Sequence, residues 1–369
     1  MSVQPPSPSL SLPPTGTGAS RRGEQPPGSP CDPSTPPSWR LEPLAGWHLP
    51  LLGHPAFVPL QPLLQRAVLL NLPEQVLQWL RQGRSLAPQV LVAFAGQEPQ
   101  GLIVTRRLNR SSSCWQVQHL RLSAADHRRD LAGTLLREAI QRGRGASSWI
   151  ATASSLDGDR LAVLREQGFQ PLRTDRLWRW PAGTGNGSEP AGLQLRSLNR
   201  RTAPALWHLE QAACPAQLRQ LLDRRVEDLL DQSHRRGWLL VDPARNQAVA
   251  AVRWISDHAG GGHDMELTIH PGWQHLIGAP TGLLLRHAQQ ALGGNAPLWL
   301  RCDVNHEACQ QWLRRSGAEE CGERVLMARS VWRRHELQAP AQVAARRLEA
   351  MLEQWQPRRR PMPTPVVPR

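Results

Sequence analysis

Residues 120–140 read LRLSAADHRRDLAGTLLREAI. An alternating apolar start, a turn dense in charge and small residues, and apolar residues at helical spacing make this a strand, a turn and a helix. Leu131, Leu135 and Ala139, with Leu136 and Ile140 beside them, form the apolar face of that helix. A strand running straight into a helix is suited to holding phosphate. The first N–H groups of the helix are unpaired, and its dipole points the same way. Residues 266–292, ELTIHPGWQHLIGAPTGLLLRHAQQAL, repeat the pattern in degenerate form. The rest of the chain is read around this pair.

Upstream of the first copy, WHLPLLG (47–53) reads as an opening strand. Residues 59–82 read as a helix carrying Leu60, Leu63, Leu64, Ala67 and Val68, then a second helix around Val76, Leu77 and Leu80. Residues 89–97 and 100–109 read as a hairpin turning at Gln97, Glu98 and Pro99, and 114–122 as the strand entering the quoted stretch. Downstream come a strand at 147–154 and a helix with Asp157 near its start and Gly168 just past its end. Residues 168–180 read as a closing pair of strands. From 193 the same order restarts. It runs through strand 193–199, two helices over 202–232, strands at 237–242 and 248–256, and the strand HDMELTI. After the second turn and helix come strand 297–304, helix 307–316 and closing strands to 332. Arg128 matches Gln274, and Gly168-Phe169 matches Gly317-Ala318. The reading is an internal duplication.

A chain of 369 residues is long enough for two ordinary domains. The expected division is a Pro/Ser/Gly-rich disordered tail (1–38), a first domain (39–180), a flexible linker (181–192), a second domain (193–334) and a C-terminal tail (335–369). That last tail holds an amphipathic helix with Ala344, Leu348, Met351, Leu352 and Trp355, followed by a Pro/Arg-rich end. Both tails are candidate protein-binding segments.

The net charge of +14 suggests a nucleic-acid partner until the residues are counted. Every basic residue is Arg, and the chain has no Tyr, 3 Phe and 15 Trp. That bias matches GC-rich codon usage, so the charge is read as genomic arginine preference and not as a nucleic-acid surface. The six cysteines, Cys31, Cys114, Cys214, Cys302, Cys309 and Cys321, form no CxxC pair. They are read as reduced thiols of a cytoplasmic protein, without a metal site. Asp257, His258, His263 and Asp264 surround a Gly260-Gly261-Gly262 tip that fixes no ligand geometry, so no metal is expected there either. No apolar run is long enough to span a bilayer, and no secretory signal is visible.

The repeated order, with its two strand–turn–helix units and its downstream helices ending in Gly-Phe and Gly-Ala, resembles the GCN5-related N-acetyltransferase (GNAT) superfamily as a tandem pair. The resemblance spans most of 41–334. It implies an α/β (α+β) fold of two acyl-CoA N-acyltransferase-like domains, each a mixed central sheet flanked by helices. In that family a Gln/Arg-x-x-Gly-x-Gly/Ala turn holds the pyrophosphate of acyl-CoA. Here the turns are Arg128-Arg129-Asp130-Leu131-Ala132-Gly133 and Gln274-His275-Leu276-Ile277-Gly278-Ala279. Leu131 and Ile277 replace the middle glycine. The tyrosine that many members use as an acid is replaced by Leu164 and Leu313.

The resemblance implies an acyl-CoA-dependent N-acyltransferase, with acetyl-CoA as co-substrate, an amine as acceptor, direct attack and no metal. It assigns the cofactor to Leu120, Leu122, Arg128, Gly133 and Thr134 in the first copy. In the second copy it assigns Leu267, Ile269, Gln274, Gly278, Ala279 and Asn305. The candidate base is Glu266 on the second strand. His119 is its counterpart on the first if one residue is inserted in the turn. The alternative is a catalytically inactive relative that binds acyl-CoA or a protein partner.

Overall fold

The computed structural model describes residues 39–330, apart from 70–87, 124–126, 144, 182, 184–191, 235 and 259. The two tails, the second early helix, most of the linker and the centre of the first turn lie outside the described residues. All described residues fall in one compact unit that begins at Trp39.

The first half contains β1 (Arg40–Pro43), β2 (Gln89–Ala95), β3 (Glu98–Arg107), β4 (Cys114–Leu122), α1 (Arg128–Arg142), β5 (Ser148–Ser154), α2 (Gly158–Glu166) and β6 (Gln170–Trp180). Residues 61–69 are also helical. The second half repeats the order. It has β7 (Gln194–Ser197), α3 (Ala203–Ala213), α4 (Ala216–Leu222), α5 (Val226–Gln232), β8 (Gly237–Asp242), β9 (Gln247–Asp257) and β10 (His263–Ile269). It continues with α6 (Ala279–Ala291), β11 (Leu298–Asp303), α7 (Glu307–Arg315) and β12 (Glu319–Ser330).

The matched helix ends have the same geometry. Gly168 and Gly317 both sit at φ 79. Phe169 N donates to Leu164 O at 3.0 Å, and Ala318 N donates to Leu313 O at 3.0 Å. These are paired glycine caps, in which a left-handed residue lets the next N–H satisfy a carbonyl of the last turn. The family's acid positions fall inside this cap: Leu164 is 2% and Leu313 1% exposed, so both are core residues.

All strands among the described residues join one 12-stranded sheet in the order β1-β2-β3-β4-β5-β12-β6-β11-β10-β9-β8-β7. The last strand of each half is therefore exchanged. β6 pairs with β11 of the second half, and β12 pairs with β5 of the first. The two exchanged strands also pair with each other. Each is one long strand and not the closing pair read from the sequence. Their charges match: Arg179 reaches Glu319 at 2.9 Å, and Arg176 reaches Glu323 at 3.2 Å and Glu320 at 3.3 Å. Leu177, Trp178 and Trp180 bury the apolar residues of β6.

Other readings are corrected by local chemistry. Residues Gly46–Leu52 are a 3-10 helix containing Pro50, and the opening strand is Arg40–Pro43. Pro50 has no N–H for a sheet ladder, and His48 Nδ1 accepts from Ala45 N at 2.9 Å. The first hairpin turns at Gly96-Gln97, because Gly96 takes φ 60 and Ala95 already pairs with Glu98. The helix read through 215–232 breaks into α4 and α5 at Asp223, which is left-handed at φ 43. Asn109 of the first half causes the break, donating to Leu222 O at 3.1 Å and Asp223 O at 3.2 Å.

Candidate active site

Each half contains a parallel strand pair that separates part-way. β4 pairs with β5 only from Cys114 to Val117. β10 pairs with β11 only from His263 to Met265. Beyond these points β4 and β10 keep their antiparallel partners, β3 and β9, on one edge only. Residues 118–122 and 266–269 therefore turn one backbone edge towards an opening. Unpaired strand edges retain N–H and C=O groups able to pair with an extended ligand.

Leu120 and Leu122 face the first core, and Leu267 and Ile269 face the second. Alternation then places His119 and Glu266 on the opposite face. The two correspond once Gln118 is counted as a bulge, because Val104 pairs with His119 and Thr105 with Val117. From His119 to Arg128 the first copy is also one residue longer than the second is from Glu266 to Gln274, and residues 124–126 of that turn lie outside the described residues. Burial, with Arg121, Arg160 and Arg106 nearby, pushes the His119 imidazole down to about 4.

The second opening leads into a cavity of about 500 Å³. Glu266, Leu267, Ile269, Gln274 and Asn305 all line it. So do first-half residues, among them Arg106, Thr152 and Arg173. Glu266 belongs to a closed ion-pair network. Arg253, whose side chain is 1% exposed, contacts Glu210 at 2.6 Å and also Glu266. Arg224 contacts Glu210 at 3.2 Å and Glu266 at 3.8 Å. Burial favours the neutral acid, but Arg253 and then Arg224 outweigh it and hold the Glu266 carboxyl at about 2. Two carboxylates and two guanidiniums make the network neutral. Arg106, bonded to Gln116 Oε1 at 3.0 Å, is lowered to about 10 by burial and by the neighbouring Arg224 and Arg301. Beside this network the wall carries three arginines, Arg106, Arg173 and Arg301, against three aspartates, Asp175, Asp264 and Asp303.

The two turns differ. In the first, Arg128, Arg129, Asp130 and Leu131 are already in α1, and the first helical bond is Leu131 N to His127 O at 3.0 Å. Leu131 is fully buried, which explains an apolar residue at the glycine position. Arg128 is exposed, Arg129 pairs with Glu166, and Thr134 is half-buried. A Cβ on Gly133 would meet only Gln167 Nε2, at 4.0 Å, so the position has no steric need for glycine.

In the second turn, Pro271–Leu276 form a 3-10 helix and Gly278, at φ 153 and ψ -135, is the cap before α6. Side chains rarely adopt that backbone conformation, so glycine is needed one place after Ile277. Gly282 N donates to Gly278 O at 2.9 Å, which leaves the N–H groups of Ala279 and Thr281 ahead of the helical ladder. Gln274 Oε1 lies 2.9 Å from His306 Nε2. Asn305 N and Nδ2 both donate to Asp303 Oδ1, at 2.9 and 3.1 Å.

The sequence reading missed Cys302, His306 and Cys309, whose ligand atoms all lie within 4.8 Å of one another on the cavity wall. Their C-x₃-H-x₂-C spacing was the available signal. By contrast, His258 pairs with Asp264 and His263 with Asp257, each at 2.9 Å, as two separate contacts around the glycine tip. No helix among the described residues is long and apolar enough to cross a membrane.

No family model matches the sequence, and no curated protein does. Solved structures match the fold. A tandem GNAT protein from the clavulanic acid biosynthesis pathway is 14% identical over 79% of this chain and 98% of that one, with a TM-score of 0.51. A putative acetyltransferase from Pyrococcus horikoshii is 12% identical over 79% and 89% of the two chains, with a TM-score of 0.51. A Drosophila protein is 13% identical over 79% and 98%, with a TM-score of 0.50. The sequence order and these likenesses agree: this chain has the GCN5-related N-acetyltransferase fold in its tandem arrangement.

Proposed function

We propose that the chain is an acyl-CoA-dependent N-acyltransferase, carrying an acetyl group from acetyl-CoA to an amine by direct attack. The observation that carries this reading is the free edge of β10 over 266–269, which opens on the cavity and leads into the turn before α6. Acyl-CoA has an extended, amide-containing arm ending in phosphates. In this reading the arm pairs with the β10 edge near Leu267 and Ile269. The phosphates meet the N–H groups of Ala279 and Thr281 beside Gly278, with Gln274 and Asn305 at the rim. Leu120, Leu122, Arg128, Gly133 and Thr134 are the matching set in the first half. The segments 39–180 and 193–334 are in this reading two copies of one unit.

The amine nitrogen attacks the thioester carbonyl carbon. A C–N bond forms, the C–S bond breaks, and a backbone N–H of the strand stabilises the oxyanion between the two events. Coenzyme A leaves as a thiolate and takes a proton from water, since the chain has no tyrosine. Glu266 is a weak base with a pKa of about 2. Its role is to attract the acceptor ammonium and pass the proton on through water, and His119 is its first-half counterpart. Calorimetry with acetyl-CoA is expected to give saturable binding to the whole chain. A flat titration, with no coenzyme A found by mass spectrometry of the purified protein, discards the proposal.

A second reading, binding without transfer, is favoured by the buried leucines at 164 and 313 and by the neutralised Glu266. Thiol release from acetyl-CoA across a panel of amines separates the two. Binding with no amine-dependent release selects the second.

A further inference from the structure

Cys302 is the penultimate residue of β11, His306 is the cap residue before α7, and Cys309 lies in the first turn of α7. Strand end, cap and first helical turn thus converge on one point. Cys302 and Cys309 are each 5% exposed. The Cys302 sulfur makes long contacts to two carbonyls, 3.7 Å to Asp303 O and 3.9 Å to His306 O, and shares a hydrogen bond with the Cys309 thiol. All three residues line the cavity, so the point they surround is open on one side.

We infer that Cys302, His306 and Cys309 form a binding site for a zinc-class divalent ion, with a fourth position open to the cavity. Two thiolates and one imidazole are a borderline-soft donor set, suited to zinc and poorly suited to magnesium or calcium. Tetrahedral bonds of about 2.3 Å to sulfur and about 2.0–2.1 Å to nitrogen place ligand atoms roughly 3.5–3.8 Å apart. The three atoms already lie within 4.8 Å of one another, so a small closure meets that geometry. Charge also balances. Each thiol releases one proton to solvent, and two thiolates cancel the dication, so the buried complex is neutral. Gln274 Oε1 accepts from His306 Nε2–H, which leaves Nδ1 for the metal and fixes the ring by an outer hydrogen bond. The open fourth position is the usual mark of a zinc site that exchanges a ligand. This inference stands without acyl transfer.

The test is elemental analysis of the full chain, expressed with zinc and purified under reducing conditions, followed by cobalt replacement. About one zinc per chain is expected, together with a thiolate-to-cobalt charge-transfer band and tetrahedral d–d absorption. Cys309→Ser and His306→Ala should lose most of the metal and weaken the band. Cys321→Ser, at an exposed cysteine away from the cluster, should retain both. Thermal unfolding of each variant shows whether a loss reflects a missing ligand or a missing fold. Wild-type protein without zinc and without a cobalt band overturns the inference. So does a Cys302–Cys309 disulfide that persists under those reducing conditions, or metal that follows Cys321 instead.

Discussion

Arg253 and Glu210 form a buried ion pair at 2.6 Å, with side chains 1% and 10% exposed. Glu210 lines the cavity, and Arg253 also carries Glu266. Removing one partner of a buried pair leaves an uncompensated charge, at a cost of about 3–5 kcal/mol. Arg253→Met is expected to destabilise the protein by about that amount, measured by denaturant unfolding. Arg245→Met, which loses only an exposed contact to Asp242 at 3.9 Å, should change stability by less than about 0.5 kcal/mol.

The two turns should respond oppositely to the same small change. Gly133→Ala adds a methyl where only Gln167 Nε2 lies within reach, inside a helix, and should stabilise by about 0.5–1 kcal/mol. Gly278→Ala forces a side chain into φ 153 and should destabilise by about 1–3 kcal/mol. If the phosphates bind at α6, Gly278→Ala should also weaken acetyl-CoA binding in calorimetry, while Gly133→Ala leaves second-half binding unchanged.

Acid should weaken the fold in two windows. The folded His119 imidazole is lowered from its ordinary 6.5 to about 4, so between these values only the unfolded chain takes that proton. Stability falls as pH drops through this range. The folded Glu266 carboxyl is lowered from 4.5 to about 2, so its contribution is complete above about 4.5 and is lost as pH falls towards 2. Unfolding midpoints measured across pH should lose the first slope in His119→Gln and the second in Glu266→Gln.

The exchanged strands predict how the halves behave when separated. A fragment ending at 183 lacks the β12 that covers β5, and a fragment beginning at 192 lacks the β6 that covers β11. Open strand edges associate. Each fragment alone should self-associate in size-exclusion chromatography with light scattering. Co-expressed fragments should co-purify as one complex. Two well-behaved monomers would contradict this.

Much of the order was legible because it rests on local rules. Glycine caps at Gly168 and Gly317, the Asp157 cap on Arg160 N at 3.0 Å, and strand alternation at 114–122 all act within a few residues. The duplication follows from meeting those rules twice in one order. Asp223 shows where local rules stop. The sequence from 215 to 232 has helical spacing throughout, yet Asn109, distant in sequence, captures two carbonyls and breaks it.

The sequence by itself determined most of the order of strands and helices, that this order occurs twice, and that Glu266 stands on the strand before the second turn. Only the tertiary structure decided that β6 and β12 change halves, that Arg253 and Arg224 neutralise Glu266, and that Cys302, His306 and Cys309 meet. The physical reason is range. Periodicity and caps record interactions between near neighbours, whereas strand exchange, ion pairing and ligand convergence depend on residues that only the folded sheet brings together.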